Sequence, residues 1–204
     1  MTAPLLTNFN TMKYKDLLLD NCIGIVQEIL NEMNLTMRKV SDIKPAIVPK
    51  EPILYRWWFP EDSVVFKKIK EHSKENKELG KLLQEVEQQE IEGKNYLALY
   101  FGKSNKGYRR FIQHSTGNVH TSTIRHTIYG LCIGGEYNKA KEPEISAILD
   151  ECYFEWLAFP KEGELIECFE GLCIALGHYP LNVEGNSAID EKWRELIMSK
   201  RKID

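Results

Sequence analysis

The sequence predicts an α/β fold, a small sheet of three main strands with helices packed around it. Three short runs rich in aromatic and β-branched residues read as strands: ILYRWWF (53–59), YLALYF (96–101) and CYFEWLAF (152–159). Around them lie longer stretches whose apolar residues recur at helical spacing. The bulk numbers agree: 204 residues, 43% hydrophobic and 28% charged, suit one domain with a real core, or one domain with an appendage.

In chain order, residues 1–10 read as a loose arm, and a helix is predicted from Lys13 to Asn34. Leu18, Cys22, Ile25, Val26, Ile29, Leu30 and Met33 form its apolar stripe. Pro45, Pro49 and Pro52 make residues 35–52 an extended connector, so that 1–50 forms a helix-plus-connector unit. The strand at 53–59 ends at Pro60, and alternation puts Tyr55, Trp57 and Phe59 on one face and Leu54, Arg56 and Trp58 on the other. Residues 61–92 are charged and helix-prone, with Asp62 or Ser63 as the cap and two short apolar faces, Val65/Phe66/Ile69 and Leu79/Leu82/Leu83/Val86.

After the second strand, helices are predicted over about 108–115 and 121–133, the latter capped by Thr121 or Ser122 and stopped at Gly134-Gly135. A polar loop to Pro143 and a short helix to Leu149 precede the third strand. A helix over 163–176 shows Leu165, Ile166, Phe169, Leu172, Cys173 and Leu176 on one face and ends at Gly177. A charged helix from about Ile189 closes the chain within 187–204.

The chemistry concentrates in YLALYFGKSNKGYRRFIQH (96–114). A strand stops at Gly102, and the helix after it carries Arg110 and His114 at i and i+4, on one face. From Asn95 to Gly135 there is no Asp or Glu, while Lys103, Lys106, Arg109, Arg110 and Arg125 give the window +5 in a chain of net −3. A local basic patch on an acidic protein reads as a focused anion site; taken alone, it reads equally as a solvated helix face.

This unit resembles the second motif of the GIY-YIG nuclease family. Tyr100-Phe101-Gly102 stands for its YIG element, with Arg110 and His114 at matching offsets and Lys103-Ser104 after the glycine. Ile53-Leu54-Tyr55 stands for GIY, keeping the tyrosine and lacking the glycine. Later, Glu170 on a helix, the turn at Pro180 and Asn182 resemble the family's third piece. STIRHTI resembles the helix after the second motif, which gives Arg125 a phosphate role; by itself Arg125 reads as a surface residue, Tyr55 as a packing residue and Glu170 as a solvent-facing carboxylate.

The resemblance implies an antiparallel three-stranded sheet, a catalytic domain over 51–186 and an insertion at 61–92. It also implies a metal-dependent DNA endonuclease. Glu170 would be the metal ligand, for Mg²⁺ or Mn²⁺, since Mg²⁺ takes few protein carboxylates. Arg110 would clamp the phosphate and Tyr55 would orient or deprotonate the water. Tyr100 would support by hydrogen bonding, Asn182 would organise the metal site, and Gly102, Lys106, Arg109 and Arg125 would meet the nucleic acid. A phenol is a poor base unless a cation lowers its pKa, so Lys103 or His114 is expected beside Tyr55. A stand-alone chain of this size resembles the restriction-enzyme branch, and cutting both strands favours a homodimer. The lost glycine supports an alternative, a non-catalytic nucleic-acid-binding protein of the same fold.

No apolar run approaches the ~20 residues of a transmembrane helix. The N-terminal MTAPLLTNFNTMKYKD lacks the basic and apolar regions of a signal peptide. The five cysteines, Cys22, Cys132, Cys152, Cys168 and Cys173, show no CxxC or zinc spacing. Buried, reduced thiols in a cytoplasmic protein, away from membranes, are expected.

Overall fold

The computed structural model describes residues 7–159, 165–184 and 186–201. Its sheet is antiparallel but has five strands, not three: β1 (Arg38–Lys39), β2 (Ile53–Pro60), β3 (Gln88–Ile91), β4 (Lys94–Ser104) and β5 (Tyr153–Ala158). The order is β1-β5-β2-β4-β3. The two extra strands are the sheet's edges. β1 is a dipeptide inside the proline-rich connector, and β3 is the polar QQEI at the end of the charged insertion. Neither carries an apolar run, so neither is visible as a strand before its partner is known.

The helices are α1 (Thr7–Asn34), α2 (Val64–Ser73), α3 (Lys77–Glu85), α4 (Gly107–Ser115), α5 (Thr123–Ile128), α6 (Glu142–Asp150), α7 (Leu165–Leu176) and α8 (Glu191–Lys200). α1 begins earlier than expected, within the segment read as an arm. The insertion resolves into α2 and α3, capped by the side chains of Ser63 and Asn76. α5 is shorter than expected because a π-helical turn, Tyr129–Ile133, takes over before Gly134. Part of the predicted 163–176 helix lies outside the described residues.

All eight residues of β2 are buried. On one face Tyr55, Trp57 and Phe59 join the larger core with α2 to α6 and α8; on the other, Leu54 and Trp58 join a second core with α1 and α7. Arg56 therefore needs partners inside the protein. It bonds Glu155 of β5 and Glu87, donates to Asn34 Oδ1 at 3.3 Å, and stacks 4.4 Å from the Trp58 ring. Burial opposes its charge, but the carboxylates of Glu155 and Glu87 hold the guanidinium above its ordinary value.

β4 carries a β-bulge. Trp57 faces Tyr100 and Trp58 faces Ala98, which leaves Leu99 as the extra residue. Strict alternation from Leu97 and Leu99 would send Tyr100 to the α1/α7 side. The bulge puts Tyr100 in the same core as Tyr55 instead, and Phe101 in the other.

Removing Arg56 leaves Glu155 as an uncompensated buried charge. Arg56→Ala is expected to lower the unfolding free energy by about 3–5 kcal/mol in urea titrations. A loss below about 1 kcal/mol would show that the pair does not hold the second core.

Candidate active site

The connector prepares the helix that carries the basic residues. The carbonyls of Glu51 and Pro49 accept the Gly107 and Tyr108 backbone N–H groups at 3.0 and 2.7 Å. A β-carbon at Gly107 would come within 2.7 Å of the Pro49 carbonyl oxygen, so only glycine starts α4 there. From that start α4 carries Arg109 and Arg110 towards an open groove of about 380 Å³, lined by Lys103, Ser104, Asn105, Lys106, Arg109, Arg110 and Gln113. No acid lines it. The Nε of half-buried Arg110 is closed off and has no hydrogen-bond partner among the described residues.

Beside Arg110, inside the protein, lies an aromatic–imidazole cluster. Tyr55 Oη is 2.9 Å from His114 Nε2, and His114 Nδ1 is 2.6 Å from Ser122 Oγ. The Tyr55 and Tyr100 ring centroids are 6.3 Å apart, and both rings lie about 6 Å or less from the His114 ring, at 5.4 and 6.1 Å. Burial pushes the Tyr55 phenol well above 10, with Arg110 acting in the opposite direction, and raises Tyr100 as well. Burial, helped by Arg110 and Arg125, drives His114 well below 6.5. The expectation of a cation next to Tyr55 is thus half met. His114 is its partner but is neutral, and the charge that favours the phenolate comes from Arg110.

Gly102 faces Tyr55 across the strand pair. A β-carbon on it would lie 2.7 Å from Tyr55 Oη and 2.8 Å from Cζ. Its bare backbone is the floor on which the phenol lies, a role exerted through Tyr55.

Asn182 lies where the edge of β4 is uncovered beyond β3. Its Oδ1 accepts the Phe101 N–H at 2.7 Å and its Nδ2 donates to the Phe101 carbonyl at 2.6 Å, while the Leu181 N–H reaches the Leu99 carbonyl at 3.0 Å. A side-chain amide imitates a neighbouring strand and satisfies the edge at the bulge. Asn182 thus ties the chain after α7 to the strand that bears Tyr100 and Gly102.

Glu170 is half-buried on α7. Burial raises its carboxyl above the usual range, against the pull of Lys103 and Arg110, and its charge is felt by both Tyr55 and Tyr100. Its carboxylate faces the backbone N–H of Lys103 and has no side-chain hydrogen-bond partner among the described residues. One turn earlier, Glu167 forms an ion pair with Lys103. Among the described residues no three His, Cys, Asp or Glu come together as a metal cage. A single half-buried carboxylate beside an anion groove nevertheless suits a hard cation that keeps water and phosphate oxygens as its other ligands.

Arg125 is corrected. It is wholly buried, pairs with Glu142 at 2.7 Å, and donates to the His114 and Ser115 carbonyls at 3.2 and 2.9 Å. Neither a DNA contact nor a surface position is open to it. The sequence reading missed Arg201, whose charge acts on Tyr100 and whose Nε reaches Thr127 Oγ1 at 2.9 Å. No local signal distinguishes it from other charges of the last helix. Ser122 was visible only as a helix cap. Of the cysteines, Cys152 and Cys173 are buried, Cys22 and Cys132 half-buried, and Cys168 exposed, all as free thiols.

A tyrosine from one strand, a tyrosine and glycine from the next, an arginine and histidine one turn apart, and a carboxylate from a later helix now stand together. A family model described as the GIY-YIG catalytic domain matches residues 53–203. The chain belongs to the GIY-YIG family. No curated protein and no solved structure matches it significantly. This GIY-YIG domain begins at β2 and takes in α8, and its membership supports nuclease activity in general. Among the described residues no helix is long and apolar enough to cross a membrane.

Gly102→Ala is expected to displace the Tyr55 phenol and cut any DNA cleavage rate by tenfold or more, with a modest fall in melting temperature. Wild-type rates in that variant would remove the glycine from the site. Lys106→Ala and Arg109→Ala should each reduce the salt slope of DNA binding by about one. Arg125→Ala should leave that slope unchanged and cost about 3–5 kcal/mol of stability, because it strands Glu142. A slope change for Arg125→Ala alone would reverse this assignment.

Proposed function

We propose that this GIY-YIG protein is a DNA endonuclease dependent on a divalent cation, Mg²⁺ or Mn²⁺, that hydrolyses phosphodiester bonds. The observation that carries the reading is the acid-free basic groove that Arg110 lines together with Lys103, Lys106 and Arg109, with the Tyr55–His114 pair and Tyr100 packed beside it. A phosphate suits such a groove, and an arginine holds it through a fork that matches phosphate oxygens.

Each residue then has a task. Lys106 and Arg109 hold the backbone on either side of the target. Arg110 clamps the scissile phosphate and offsets its growing charge. Tyr55, placed by Gly102 and His114, orients the attacking water and takes its proton as the phenolate becomes accessible. Tyr100 packs against Tyr55 and His114 and keeps that corner dry. Asn182 fixes the strand on which Tyr100 sits. Lys103, held by Glu167, and Arg110 pull the Glu170 carboxyl down against the burial that raises it. Glu170 would hold the cation, which when bound supplies Lewis-acid stabilisation of the phosphate and leaving oxygen.

The reading extends to a cytoplasmic, restriction-type enzyme acting as a homodimer. One such cluster per chain suits one strand, so a duplex break calls for two copies. The alternative, binding without cleavage, draws on the closure of Tyr55, which is only 2% exposed, and on its raised pKa.

Plasmid and genomic DNA incubated with Mg²⁺, Mn²⁺ or a chelator separates the two. Discrete, metal-dependent fragments are expected from the wild type, and none from Glu170→Ala. Because the Tyr55 pKa lies well above 10, the deprotonated fraction grows tenfold per pH unit below it. Single-turnover rates should therefore climb steadily from pH 7 to 9 without a plateau, and Tyr55→Phe should abolish the climb. Binding with no cleavage by the wild type on any DNA, or a rate that is flat with pH, would favour the alternative.

A further inference from the structure

Ser122 is buried at the start of α5, where its Oγ accepts the Arg125 backbone N–H at 3.3 Å. The same oxygen lies 2.6 Å from His114 Nδ1, and the other ring nitrogen lies 2.9 Å from Tyr55 Oη. A serine hydroxyl offers one hydrogen and two acceptor lone pairs. Ser122 Oγ has no further partner among the described residues. If His114 Nδ1–H donated to it, the hydroxyl hydrogen would be left without an acceptor in a closed interior. If the hydroxyl donates to Nδ1, Ser122 and both ring nitrogens are satisfied, and the one hydrogen left over is that of the Tyr55 phenol, which has Tyr100 as its hydrogen-bonding neighbour.

We infer that Ser122 donates to His114 Nδ1, fixes the imidazole as its Nε2–H tautomer, and so aims an N–H at Tyr55 Oη. Ser122 is thereby a positioning residue that acts through His114. The inference rests on the reading of Tyr55 as the group that handles the proton of the water. Tyr55 Oη becomes an acceptor on the His114 side, and the hydrogen of the phenol lies on the Tyr100 side, from which it passes to solvent before the phenolate takes the proton of the water. His114 does not collect that proton; it stabilises the phenolate as it forms. The opposite tautomer would leave Nε2 to take the proton and make a buried imidazolium. Arg110 and Arg125, both near the ring, oppose that charge, and burial opposes it further. Around the ring the other neighbours are Tyr55, Trp57 and Tyr100, none of which offers a carboxylate to offset it.

The direct test is ¹⁵N NMR of the histidine rings in the whole protein. His114 is assigned by its absence from His114→Phe and by its failure to titrate between pH 5.5 and 8. A pyridine-like Nδ1 and a protonated Nε2 are expected; the reverse pattern overturns the inference. That readout stands whether or not the protein cuts DNA, so it is separate from the nuclease reading. Kinetics supply the second arm. Glycine caps a helix nearly as well as serine but carries no hydroxyl, and threonine keeps the hydroxyl. Ser122→Thr should stay within about threefold of wild type. Ser122→Gly should keep its melting temperature, fall on the order of tenfold in rate at pH 7.5, and move the rising limb of the pH profile about one unit higher, the effect of one lost hydrogen bond to a charged group. Wild-type rates and an unchanged profile in Ser122→Gly would reduce Ser122 to a cap.

Discussion

The constraint on which the structure turns is the complete burial of β2. In a strand with no exposed residue, a charged or hydroxyl-bearing side chain is costly unless it finds a partner inside the protein. β2 carries two such side chains, Tyr55 and Arg56, at adjacent positions, so they face opposite cores, while the indole N–H groups of Trp57 and Trp58 have no hydrogen-bond partner among the described residues. Arg56 is met by carboxylates from β5 and from the end of the insertion, which binds α1 and the insertion to the sheet. Tyr55 is met by His114 from α4, which in turn is met by Ser122 at the head of α5. Each partner drags its element into place, so the same demand that organises the fold also assembles the candidate site.

The second constraint is the geometry of β4. Its bulge at Leu99 turns Tyr100 towards Tyr55, and the bulge lies where β3 has run out. The backbone exposed there is covered by Leu181 and by the side chain of Asn182. The turn after α7 is therefore pinned to the strand end that holds Tyr100 and Gly102. This explains how α7, packed on the opposite core, can set Glu170 where both tyrosines feel its charge. The register of one strand decides which groups meet.

Much of this was legible in the sequence, for a physical reason in each case. The three inner strands were readable because buried strands must be apolar, and ILYRWWF, YLALYF and YFEWLA are. The edge strands were not, because β1 and β3 rest on one neighbour each and need no apolar face. Alternation placed Tyr55 correctly, but β4 defeats alternation at its bulge, and only the family pattern put Tyr100 beside Tyr55. The pairing of Arg110 with His114 followed from helical spacing. Arg125 was misread because a charge count cannot see a partner: Glu142, 17 residues on, cancels it within the core. Arg201 and the second role of Ser122 depend on contacts between distant segments, which no local pattern encodes.

That cancellation sharpens the electrostatics of the groove. Removing Arg125 from the basic window leaves four cations near the site, and Lys103 is shared with Glu167. Lys106 and Arg109 reach outward, and Arg110 stays half-buried with a donor that nothing in the described protein accepts. Native interiors tolerate such a donor rarely, because its desolvation costs stability with no return. A phosphate in the groove that Arg110 lines would offset the guanidinium charge, which acts on both Tyr55 and Glu170. Ligand binding at that groove would then raise the folding stability as well, since whatever binds the folded protein alone stabilises it.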